Sequence, residues 1–278
     1  MHMFATSYSI LHKLLQWRTF CRQSLMGVML VMAAWFDLPA RADTNRMSTP
    51  AEFRAYADRQ LAAARRSLRE YPTNSRVLQR FAQAGFDRGE FSRNDSERAM
   101  LAEECIAVCR QWVARETNSA AAHYYLGMNL GQLARTKMLG ALPIVDEMEV
   151  EFKAAEGLDP HFDYAGPVRN LGLLYRDAPS LGSIGDRGKA RTYLRRAIEL
   201  APDFPENRLN YVETCLKWVD WPAAAREMKQ LDAIWDSART NLTGDAWASS
   251  WADWQQRRHR AKVKIVEDSK IGSPKHRQ

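Results

Sequence analysis

The sequence predicts an all-α solenoid of stacked helical hairpins, and three observations carry that expectation. From Val168 to Pro202, Leu171-Gly172-x-x-Tyr175 is followed by Ala190, Leu194, Ala197 and Pro202 at spacings of four, three and five. Small and large apolar residues at those intervals let two antiparallel helices interlock, and the proline bars further helix. The same spacings recur on either side of this segment. No period-2 strand runs stand out, and a hydrophobic content of 46% is enough for a core built by stacking neighbours.

In chain order, a half repeat from Arg59 to Pro72 comes first, as a cap. Leu78, Phe81 and Gly85 then form a first helix, with Cys105, Cys109 and Trp112 on a second. Leu126-Gly127-x-x-Leu130 opens the next copy, and Met148, Phe152, Ala155 and Pro160 complete it. After the Val168–Pro202 copy, Tyr211 and Cys215 precede a turn at Trp221, and Ala224, Met228 and Leu231 follow without a proline. Trp247, Trp251 and Trp254 at i, i+4, i+7 predict a closing cap helix. These residues resemble the tetratricopeptide repeat. The resemblance implies a tetratricopeptide-like helical-hairpin solenoid that binds other proteins and seldom catalyses anything.

The copies depart from the ordinary repeat in the connection between their two helices. Cys215 to Ala224 keeps the usual nine residues, whereas Tyr175 to Ala190 is fifteen, Leu130 to Met148 eighteen and Gly85 to Cys105 twenty. Either these lengthened connections place extra loops along one edge, which would then be a binding side, or the first helices run a turn or two longer.

Residues 1–42 read as a signal peptide. Lys13, Arg18 and Arg22 precede the apolar run Leu25–Phe36, and Ala40-Arg41-Ala42 offers a cleavage site that leaves Asp43 first. Export to a bacterial periplasm is expected, with an uncleaved inner-membrane anchor as the alternative. Residues 43–255 are the repeat domain, and 256–278 a basic, disordered tail. The whole chain carries +7; residues 1–42 hold +3 and the tail +6, so the repeat body is 7 − 3 − 6 = −2. Basicity is confined to the ends, and the run Arg257–Lys264 reads as a solvated helix end rather than a nucleic-acid contact.

Searching for chemistry finds none. Cys105, Cys109 and Cys215 are an odd number, and the first two sit one turn apart at interlocking sites, where core packing suits them better than metal binding. Gly182-x-x-Gly185-x-x-Gly188 lacks the Lys-Ser/Thr of a phosphate loop, and the six histidines are scattered. No cofactor, metal or catalytic residue is expected.

Binding should then use the concave wall lined by first helices. Tyr124, Met128 and Gln132 from one copy, Arg169, Leu173 and Arg176 from the next, and Leu209, Glu213 and Lys217 beyond them form the expected groove row. Such a row could grip a peptide or an acyl chain. Equally, Tyr124 and Leu173 could pack on the next repeat, and Arg169 could bond carbonyls of the 176–186 insertion.

A narrower resemblance rests on Gly166-Pro167-x-Arg169-x-Leu171-Gly172, Ala178-Pro179, Ile184-Gly185-Asp186 before Lys189-Ala190, and Ala201-Pro202-Asp203-Phe204-Pro205-Glu206-Asn207. These residues look like the T component of tripartite ATP-independent periplasmic transporters, which implies a solute-binding protein as partner, a small apolar ligand and, in some members, a homo-oligomer. Cys21 lacks the residues expected before a lipidated cysteine, a departure from the lipoprotein members. The sequence thus supports two readings: an adaptor holding a protein partner in the cell envelope, or a ligand-carrying transport accessory, with an envelope assembly factor as a third.

Overall fold

The computed structural model describes residues 47–137 and 140–271. The expected signal segment, its expected cleavage site at Ala42 and the last residues of the tail lie outside the described residues. Among those described there are ten helices and no strand: α1 Pro50–Glu70, α2 Ser75–Glu90, α3 Asp95–Arg115, α4 Ala120–Ala134, α5 Ala141–Leu158, α6 Phe162–Asp177, α7 Arg187–Leu200, α8 Pro205–Lys217, α9 Trp221–Asn241 and α10 Asp245–Ile271. None of these is long and apolar enough to cross a membrane.

Local chemistry starts most of them. Thr49 and Glu52 form a reciprocal capping box ahead of α1, with Pro50 in its first turn. Asn74, Asn94, Ser119, Asp186 and Asp220 each accept a backbone N–H at the start of α2, α3, α4, α7 and α9. The helices then pair as α2–α3, α4–α5, α6–α7 and α8–α9, and these are the four copies read from the spacing.

Within each hairpin the interlocking residues meet as their spacing requires. Leu171 and Leu194 are fully buried, as are Ala190 and Ala197. At Gly172 the two helices come so close that a Cβ would lie 2.8 Å from Leu194 Cγ and 3.0 Å from its backbone nitrogen. Cys105 and Cys109 are buried at the equivalent seam of the first hairpin, and burial pushes the Cys105 thiol up to about 12. Both thiols thus fill the packing positions that their spacing assigns to them.

The lengthened connections resolve differently from copy to copy. In the first hairpin α2 continues to Glu90 and α3 already begins at Asp95, so the extra residues are helix. The third has a nine-residue loop, Ala178–Asp186, folded back through Gly185 N–H to Pro179 O and Asp186 N–H to Tyr175 O. Among the described residues, the added length is thus helix in the first hairpin and loop in the third.

Residues 256–271, expected within a disordered tail, are helical as the continuation of α10. The stripe of Trp247, Trp251 and Trp254 runs on through Arg257, Ala261 and Ile265 at helical spacing, so the basic segment has its own inward face. α10 packs on α8 and α9 and also reaches α1 at the other end of the array.

Candidate protein-interaction face

First helices touch in series, α2 with α4, α4 with α6 and α6 with α8, and so form one continuous inner wall. The expected groove row lies on that wall, but most of it is turned into the seams between repeats. Tyr124 is 1% exposed; its hydroxyl donates to Asp163 Oδ2 at 2.5 Å, and its ring packs edge-on against Phe162. Gln132 is buried and donates to Glu90 Oε1 at 2.6 Å, and the same carboxylate takes Arg135 at 2.6 Å. Met128 is half-buried with its sulfur accepting from Asn170 at 3.1 Å. Leu173 is half-buried against the α7–α8 core, and Leu209 is fully buried.

Arg169 is also buried. Its guanidinium donates to Asp163 O (3.4 Å), Tyr164 O (3.2 Å) and Asn207 Oδ1 (3.1 Å), so the carbonyls it holds belong to the start of α6 and not to the 176–186 insertion. Those carbonyls sit in an uncommon backbone: Asp163, Tyr164 and Ala165 all have left-handed dihedrals, with φ of 49°, 56° and 63°. Side-chain residues in that region cost about 1–2 kcal/mol each. Arg169 and Asn207, which donates to Tyr164 O at 3.1 Å, brace the turn from inside. Tyr164 stacks on Phe204 at 4.4 Å and remains 42% exposed.

Further along the wall Arg176 forms a bidentate pair with Asp177 (2.9 and 2.6 Å) and reaches Thr214 Oγ1 at 3.2 Å, while Lys217 donates to Asp177 at 2.7 Å. Glu213 is taken by Arg257 of α10 at 2.8 and 3.0 Å, and Arg257 also donates to Asn210 Oδ1 at 2.5 Å. For Glu90, Asp177 and Glu213 burial works to raise the carboxyl pKa. It is outweighed by Arg135, Arg176 and Arg257 respectively, and all three lie below the usual carboxylate range. Asp87 of α2 behaves in the opposite way. Part of it reaches solvent, yet crowding by the surrounding helices, and then Asp163 and Glu90, push its carboxyl up to about 7.

The structure thus joins Tyr124 with Arg169, and Arg176 with Lys217, through carboxylates that sequence reasoning passes over. Asp163, Glu90 and Asp177 carry no positional signal in one sequence. Arg257 does carry one, since it continues the tryptophan stripe. Chemically, the row is a ladder of paired carboxylates, amides and guanidinium groups that ties successive helices together.

A solved tetratricopeptide-repeat protein of Thermus thermophilus, TTC0263, superimposes with a TM-score of 0.58 at 20% identity, covering 77% of this chain and 95% of that one. The chain has a tetratricopeptide-like fold. The structure of MamA matches with a TM-score of 0.44 at 19% identity over 69% of this chain and 96% of that one. No family model matches the sequence, and no curated protein does. The TTC0263 match lends the narrower transporter resemblance no support.

Proposed function

We propose that this chain is a non-catalytic adaptor or scaffold whose inner wall holds a segment of a partner protein. One observation carries the reading: the wall already grips a helix. Arg257 of α10 is held on α8 by Glu213 and Asn210, the geometry by which first helices of such an array would take a guanidinium-bearing segment from another chain. The tetratricopeptide-like fold supports the same reading, because stacked hairpins present an extended concave surface and no catalytic constellation of their own. The partner is placed in the bacterial cell envelope by the expected signal segment, whose cleavage would leave Asp43 first; N-terminal sequencing of the periplasmic fraction tests this, and a full-length cytoplasmic product defeats it.

Because Tyr124 and Arg169 are buried and structural, a test of partner binding uses a wall residue that reaches solvent. In-cell crosslinking and mass spectrometry on wild type and Asp87→Lys should show partner crosslinks mapping to α2, α4, α6 and α8 and depleted several-fold in the variant. Equal recovery from a variant with native circular dichroism, or crosslinks confined to α3, α5 and α7, would defeat the reading.

A further inference from the structure

The helix α10 divides into two parts held by different forces. Up to Trp254 it is sunk in aromatic groups: Trp251 lies edge-on to Trp235 at 5.2 Å and donates its indole N–H to Leu242 O at 2.7 Å, and Trp254 packs edge-on to Phe204 at 5.4 Å. Beyond Trp254 the apolar contacts thin out. Ala261 is buried and Ile265 partly so, whereas Val263 and Val266 are 41% and 50% exposed. Ionic contacts, with the Arg258 guanidinium also lying over the Trp235 ring at 4.3 Å, hold this second part down. Arg257 meets Glu213, Asp253 at 3.1 Å and Glu206 at 3.7 Å, while Arg258 and Lys262 share Asp232 of α9 at 2.5 and 2.7 Å. The Arg258, Lys262 and Asp232 side chains are 24%, 40% and 36% exposed, so salt and solvent screen that pair strongly.

Position gives this division a consequence. Arg257 covers Glu213 on the inner wall and lies close enough to Arg176 to oppose its charge, and α10 as a whole reaches α1. We propose that the part of α10 beyond Trp254 is a salt-sensitive strap: it closes the opening of the array between α8 and α1, and it lifts about an anchor at Trp247–Trp254 to expose the inner wall. Weakly apolar, ion-paired helix ends are the segments that open locally while the rest of a fold stays intact. The strap regulates the partner face proposed above and rests on that reading for its meaning, but its movement is a property of the isolated chain and is measured there.

Two measurements on the full chain decide it, hydrogen exchange and carboxyl footprinting read by mass spectrometry, on wild type and on Arg258→Ala/Lys262→Ala. This variant removes the α9 latch and leaves Arg257 and Glu213 untouched. Amides of residues 258–268 should exchange roughly tenfold faster in the variant, and in wild type moved from about 0.05 to 0.5 M salt, while residues 247–254 keep their rate. Glu213 should be labelled several-fold faster although its own partner is still present. An unchanged rate at 258–268, a joint loss of protection from 247 onward, or faster exchange with unchanged labelling of Glu213 would each overturn the strap; the Asp87→Lys comparison would be unaffected by any of them.

Discussion

Arg169 shows how a charged side chain can be structural on a wall expected to bind. The residue is 5% exposed, and its guanidinium spans the two carbonyls of the left-handed turn, Asn207 and Asp163. Burial works against its charge, but Tyr124, Glu206 and Asp163 outweigh burial and raise its pKa. Arg169→Met should therefore cost about 1–3 kcal/mol in urea unfolding, because it takes the donor away from the Asp163 and Tyr164 carbonyls and from Asn207 Oδ1. Arg110→Ala, which breaks a pair with Glu147 whose side chains are 56% and 33% exposed, should cost under about 1 kcal/mol. Equal losses would mean that Arg169 is not a brace. Asp87 makes a second residue-scale prediction, with the sign set by its raised carboxyl. A folded-state pKa of about 7 against an ordinary 3.8 means that its protonation stabilises the fold, an effect fully present below 3.8 and lost as pH rises through about 7. The melting temperature of wild type relative to Asp87→Asn should fall between pH 5 and 7.5, by a small amount because Asp87 is exposed to solvent. The lowered Glu90, Asp177 and Glu213 act in the other direction only below the ordinary carboxylate range, so they leave this window clear.

Hairpins are where the sequence is most informative. Residues that interlock two helices must recur at helical intervals, so Leu171, Gly172, Tyr175, Ala190 and Leu194 announce their contact in one dimension. Gly172→Ala tests that contact: the added carbon meets the Leu194 backbone, which cannot yield as a side-chain tip could, and the melt should lose about 1–3 kcal/mol. Gly157→Ala, in the last turns of α5 with open space around it, should instead gain up to about 1 kcal/mol. A loss at both positions would place the glycine effect in the helices themselves and not at the seam. What stays hidden has a common physical cause. The groove candidates fall on first helices, but a helical wheel gives direction only to within a residue or so, and Tyr124, Gln132 and Arg169 turn into the seams between repeats. The left-handed turn at Asp163–Ala165 contains no glycine or asparagine to announce it and is held by Arg169, further along the same helix, and by Asn207 of α8. Composition alone makes the basic residues after Gln255 look like a tail, and it obscures a periodicity already begun by the tryptophans.

At the scale of the molecule, the decisive feature is that the two ends of the array are joined. In an open solenoid each hairpin is stabilised by its neighbours, so terminal repeats fray independently of one another. Here α10 packs on α8 and α9 and also touches α1, so loosening one end removes a support from the other. Trp254→Ala tests this coupling. The side chain is 2% exposed and packs on Phe204, Trp247 and Trp251, so its loss should cost about 3–5 kcal/mol and free α10 from its anchor. Hydrogen exchange should then accelerate in α8–α10, as any cap mutation would cause, and also in α1, while the central α4–α7 hairpins keep their protection. Acceleration that stops at α8, with α1 exchanging as in wild type, would mean that the ends meet without supporting each other, and that the array behaves as an open chain of hairpins whose inner wall is reached from either side.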